Sequence, residues 1–237
     1  MNVFLLLLIL TLLAGLAMPL GAFIASIVRF SNREIDEEFI HFVVAFGGGA
    51  LLSAVALVLV PEGIAILNPW LACFCFILGG VFFMAIEVYL QRTATSASQL
   101  LAMLTDFVPE SIALGAALAI GNTSAYLLAG LIALQNIPEG FNAYNELRVS
   151  TARSSRNIIL LFAAMSLLGP LAAVTGYYWM FAHVQVLAAT MLMAAGGILY
   201  SVFQDIAPKA KLEKHWAPPM GAVTGFMLGM LGAALIA

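Results

Sequence analysis

The chain of 237 residues is 63% hydrophobic, only 9% charged and carries a net charge of −3. Soluble domains have roughly a quarter charged residues, so a water-soluble fold is excluded. The basic residues fall in short clusters between apolar runs, which leaves no nucleic-acid surface.

The first apolar run, 3–29, lacks a basic leader segment and is too long for a signal-peptide core, so it reads as a membrane span. Runs of about 20 apolar residues recur at 39–61, 67–90, 99–120, 124–147, 157–181, 184–206 and 217–237. Together they predict an all-α membrane protein, an eight-helix bundle forming a single domain over 1–237. In the third span Cys73 and Cys75 point roughly 200° apart on a helix, which predicts packing rather than a disulfide or a shared metal. Glycines recur at helical spacing, as in Gly47-Gly48-Gly49, Gly196-Gly197 and Gly221, Gly225, Gly229. They predict close helix crossings within the bundle or across a homodimer.

Charge orients this bundle. All nine basic residues fall after odd-numbered spans: Arg29 and Arg33 after the first, Arg92 after the third, Arg148, Arg153 and Arg156 after the fifth, and Lys209, Lys211 and Lys214 after the seventh. Cytoplasmic loops carry the excess of Lys and Arg, so eight spans with both termini external fit without exception. Seven or nine would scatter the charges over both faces. The chain is accordingly expected in a lipid bilayer as an integral membrane protein, compatible with a bacterial inner membrane.

Of twelve acidic residues, Glu62, Glu87, Asp106, Glu110, Glu139 and Asp205 fall within spans or at their ends. A carboxylate at membrane depth costs a few kcal/mol even on insertion scales, so it faces a partner, a cavity or an ion. Glu110 and Glu139 lie deepest, on the fourth and fifth spans, which the short turn at 121–124 makes antiparallel neighbours. No Lys or Arg sits inside a span to neutralise them, which leaves a cation or a proton. The two segments are Asp106-Phe107-Val108-Pro109-Glu110-Ser111 and Gln135-Asn136-Ile137-Pro138-Glu139-Gly140. Each places an oxygen-bearing side chain four residues before the glutamate, on the same helix face. Asp106 with Glu110, and Gln135 with Glu139, can present paired oxygens, with Asn136 as an outer ligand. Each proline frees a carbonyl, at Thr105 and Leu134, and interrupted helices with free carbonyls and carboxylates are how transporters build cation sites.

These motifs make the chain resemble the Zrt/Irt-like (ZIP) metal transporters over nearly its whole length. That family has eight spans, external termini and proline-glutamate motifs in helices 4 and 5. Gln135-Asn136-Ile137-Pro138-Glu139-Gly140 is similar to the family's fifth-helix motif. The fourth helix departs from it, with Asp106 where histidine is usual, Phe107 where asparagine is usual and Ser111 where glycine is usual. Val60-Pro61-Glu62 and Gln204-Asp205-Ile206-Ala207-Pro208 look like further landmarks. The sixth helix has Gly169 near the place of a glutamate that completes a second metal position in many members. The loop over 91–98 carries no histidine, so no metal-sensing loop is expected.

The resemblance implies transport of divalent metal cations of the zinc, iron or manganese class. It implies a site of Asp106, Glu110, Gln135, Asn136 and Glu139, with Glu62 and Asp205 along the pathway. No prosthetic group is expected, only the transported ion. An all-oxygen set favours harder ions such as Mn²⁺ or Mg²⁺ over Zn²⁺. Glu62 and Asp205 read equally as solvated helix ends. The acidic run Glu34, Asp36, Glu37 and Glu38 reads most simply as the solvated start of the second span, Glu87 as interfacial beside Arg92, and His41, His183 and His215 as interfacial rather than ligating. Two alternatives stand beside transport: a transport-inactive ZIP-like protein acting as partner or sensor, and a proton-coupled carrier of another solute. An intramembrane metalloenzyme would need a motif such as His-Glu-x-x-His, which the sequence lacks, so no enzyme is expected.

Overall fold

The computed structural model describes residues 2–28, 33–93, 98–119, 121, 123–151, 153–179, 183–213 and 215–236. Among them there is no strand. Arg29, Asn122 and Lys214 of the expected loops lie outside the described residues. The helices are α1 (Val3–Ile27), α2 (Arg33–Ala54), α3 (Val60–Ile66), α4 (Pro69–Thr93), α5 (Ser98–Ala119), α6 (Ser124–Ser150), α7 (Ser155–Met165), α8 (Leu168–Tyr178), α9 (Val184–Ser201), α10 (Ala207–Ala210) and α11 (Met220–Ile236). Five continuous stretches are long and apolar enough to cross a membrane: Val3–Ile27, Glu34–Ile66, Pro69–Tyr89, Ser155–Tyr178 and Val184–Ala210. Met220–Leu235 is a shorter apolar helix.

Proline accounts for the irregular turns. Its missing N–H and its ring disrupt the bond to the carbonyl four residues back. Pro61 and Pro208 are each preceded by a five-residue π-helical turn, Val55–Leu59 and Val202–Ile206, which holds that carbonyl, Leu57 or Gln204. Each turn closes by an N–H bonding five residues back, Val60 to the Val55 carbonyl and Ala207 to the Val202 carbonyl. α2 and α3 therefore form one interrupted helix, as do α9 and α10. Pro170 acts more severely: its i−4 residue is Ser166, where the helix breaks between α7 and α8. The sixth apolar run is thus two helices of 11 residues each. By contrast α5 and α6 continue through Pro109 and Pro138. α2 begins at Arg33 and takes the acidic run into its first turns.

The helices pack in pairs, α1 on α6, α2 on α11, α4 on α9 and α5 on α8, with α2 also crossing α6, and in each of the four pairs the close contacts advance along both helices in the same direction, so the partners run parallel. One core spans α1, α2, α5, α6, the α7–α8 pair and α9. Glycine permits the closest crossings. A Cβ on Gly79 would lie 1.9 Å from the Met193 carbonyl, and one on Gly196 1.9 Å from the Phe76 carbonyl, so α4 and α9 touch backbone to backbone. Cys73 is exposed and Cys75 buried, on opposite sides of α4.

Polar contacts tie one end of the bundle together. The His41 ring of α2 meets the Lys209 carbonyl of α10. Lys209 Nζ lies 4.0 Å from Glu146 of α6, and His215, ahead of α11, lies 3.6 Å from Glu38 of α2. Arg148 donates to the Arg153 carbonyl at 2.7 Å in the turn leaving α6.

Candidate functional site

α5 and α6 run antiparallel, so successive turns of one meet successive turns of the other in reverse order. Glu110 therefore stands level with Gln135, and Asp106, one turn earlier, level with Glu139. The first level is closed. Glu110 and Asn136 are 0% exposed and Gln135 1%, and Gln135 Nε2 donates to Glu110 Oε2 at 2.5 Å. The second level opens into a cavity of about 480 Å³ that Asp106, Pro138 and Glu139 line at its inner end.

Asn136, also expected near an ion, turns its amide toward α1, where Nδ2 donates to the Ala14 carbonyl at 2.8 Å. This clamps α6 on α1 beside the site. Asn136→Leu is expected to remove that bond and lower stability by about 1 kcal/mol, seen as a reduced thermal midpoint in detergent.

Acceptors outnumber donors throughout. Among the described residues Asp106 Oδ1, Glu110 Oε1, Gln135 Oε1, Asn136 Oδ1 and both Glu139 carboxylate oxygens are buried without a hydrogen-bond partner. Buried polar atoms are nearly always satisfied in folded proteins, and six such acceptor atoms on two helices form an electron-rich cluster. Asp106, Glu110 and Glu139 lie within Coulombic range of one another, and no Lys or Arg is buried among the described residues. They do not converge fully: no three His, Cys, Asp or Glu side chains among the described residues gather closely enough to hold a metal ion.

Phe107, adjacent to Asp106, faces the other way. It is 1% exposed, and its ring occupies the space that a Cβ on Gly169 or Gly15 would need, at 2.6 and 3.0 Å. The aromatic ring on α5 thus fills the room left by the glycine on α8.

From its inner end the cavity runs past Asn142, Asn145, Ser201 and Asp205 to His41, Glu146 and Lys209. The polar stripe Gln135, Glu139, Asn142 and Glu146 is spaced four, three and four residues along α6, one helix face. That periodicity was legible downstream of the Pro-Glu motif. Asp205, carried on the π turn after α9, lines the cavity, while Glu62 is not among its lining residues. Asp205 is within Coulombic range of Glu87, Lys209 and Glu146. His183 stacks beside Trp179, with ring centroids 5.4 Å apart.

Compared with known families and curated proteins, the chain matches no family model and no curated relative.

Proposed function

We propose that the chain is a ZIP-like membrane transporter of divalent metal cations, crossing the bilayer eight times with both termini external. The carrying observation is the cluster of buried, donorless carboxylate and amide oxygens on α5 and α6, at the closed end of a cavity that leads to the basic end of the bundle. An acceptor cluster with no buried Lys or Arg among the described residues has a use for a cation and none for an anion. The contacts of Lys209 with Glu146 and His41, and of His215 with Glu38, gather the ends of α2, α6 and α10 and the start of α11 at one end. That arrangement agrees with basic loops on the cytosolic face.

In this reading Asp106 and Glu139 are the first carboxylates an ion meets, and Glu110, held by Gln135, is the next. Like charges in a low dielectric stay apart, and an ion's own charge supplies the free energy to draw them together. Phe107 against Gly169 leaves room for one ion rather than two. The oxygen donors favour manganese-like ions, so Asp106→His is expected to raise the preference for Zn²⁺ over Mn²⁺ by on the order of tenfold, measured by competition in uptake assays.

The test is uptake into proteoliposomes across a panel of divalent ions. Accumulation of at least one ion above protein-free vesicles is expected, and no uptake of any ion ends the transporter reading. That outcome would favour the transport-inactive alternative, to which the incomplete convergence of the three acids is the pointer.

A further inference from the structure

Among the described residues Lys209 is the one Lys or Arg lining the cavity, near the imidazole of His41, and it stands at the mouth. Its Nζ lies 4.0 Å from Glu146 Oε2, with the two side chains 56% and 47% exposed. Asp205, a further acid on the wall, feels the Lys209 charge as well. The backbone bearing Lys209 is pinned from across the mouth, because the His41 ring of α2 meets its carbonyl. It sits in α10, one residue past Pro208, so the proline-induced π turn that puts Asp205 on the wall also aims Lys209 at the opening. Further in, Asp106 Oδ1 is buried without a partner and Asp106 is 8% exposed, so the passage that Lys209 guards ends on an unsatisfied oxygen.

We propose that Lys209 is a tethered cation at the mouth of the cavity, holding the place between Glu146 and Asp205 that a divalent ion must take on its way to or from Asp106 and Glu139. The assignment rests on the cation-transport reading and adds a specificity-determining residue to it. An ion pair this exposed is weak and easily displaced. A monovalent cation competes for two carboxylates on poor terms with a divalent one, since the attraction scales with charge. Lys209 thereby screens the acidic walls against monovalent ions and yields to divalent ones. Its ammonium needs only to swing into the half-exposed space around it, with no change in the packed helices.

The test uses the charge of the cavity itself. Ser201, on the cavity wall, is replaced by cysteine in full-length protein carrying Cys73→Ala and Cys75→Ala, and the rates of modification by a trimethylammonium and a sulfonate methanethiosulfonate are compared. Lys209→Gln is expected to raise the cationic-to-anionic rate ratio by about fivefold, the effect of removing one nearby charge in a partly hydrated cavity. Lys209→Arg should keep the ratio of the parent protein. An unchanged ratio in Lys209→Gln, an equal change in Lys209→Arg, or a cysteine that neither reagent reaches overturns the proposal. The readout needs no transported ion, so a chain that takes up no metal but shows the shift loses the transport reading while retaining the electrostatic guard.

Discussion

Glu139→Gln is expected to reduce divalent-cation uptake by more than about a hundredfold, to near the level of protein-free vesicles, while the thermal midpoint changes little. Loss of a partner that merely orients a metal ligand already costs about 10–100-fold in metal affinity. Glu139 is more exposed to the consequences, because both its oxygens are buried without partners and it lines the inner end of the cavity. Glutamine keeps the volume and one carbonyl oxygen but removes the charge. Removing a charge that lacks a donor relieves a desolvation cost, so the folded protein loses nothing. Glu110→Gln is a different experiment, since Glu110 Oε2 accepts from Gln135 and two facing amides must then sort donor against acceptor. Glu213→Gln, on an exposed residue between α10 and α11, controls for the loss of one negative charge. Full uptake by Glu139→Gln protein would remove the site from α5 and α6.

The helical class and the burial of Asp106, Glu110 and Gln135 were legible in the sequence because hydropathy and the i, i+4 period report burial directly; that Gln135 donates across to Glu110 was not. What hydropathy does not report is how a buried backbone answers a proline. Pro109 and Pro138 were expected to interrupt their helices, and α5 and α6 continue through them. Pro61 and Pro208, whose segments were read as landmarks, sit behind π turns, while Pro170 divides the sixth run at Ser166. The three outcomes have one local cause and differ in what packs around it. At the α7–α8 break, Gly15 of α1 lies so near that a Cβ there would be 2.8 Å from the Ser166 carbonyl. Asn136 shows a second limit. Its place beside Glu139 suggested an outer ion ligand, and its Oδ1 has no partner, but residue spacing cannot reveal that its Nδ2 donates to the Ala14 carbonyl of another helix at 2.8 Å. Lys209 and Glu146 were assigned to loops or left unremarked for the same reason, since a helix end and a cavity mouth look alike in one dimension.

Gly140→Ala is expected to destabilise the protein by about 1–3 kcal/mol, the usual cost of forcing extra volume into a packed interface. The added Cβ would stand 2.1 Å from the Met18 carbonyl of α1, and a Cβ on Gly21 of α1 would stand 2.0 Å from the Ile137 carbonyl of α6. The two helices therefore touch backbone to backbone at two points, and neither carbonyl is a flexible side-chain end that can swing aside. Moving a contact from 2.1 Å to the 3.0 Å below which real Cβ atoms essentially never approach requires α1 and α6 to separate by about 0.9 Å. Gly130→Ala on the same helix is the control: nothing lies within 4 Å of its Cβ, and alanine's higher helix propensity should leave stability unchanged or raise it by up to about 1 kcal/mol. Thermal midpoints in detergent separate the two, and equal midpoints would remove the close α1–α6 crossing. The crossing matters to the site because Gly140 follows Glu139 directly and Asn136 clamps the same pair of helices one turn away. A helix displaced by 0.9 Å carries its carboxylate with it, so the variant should lose cation uptake more steeply than its loss of stability alone would produce.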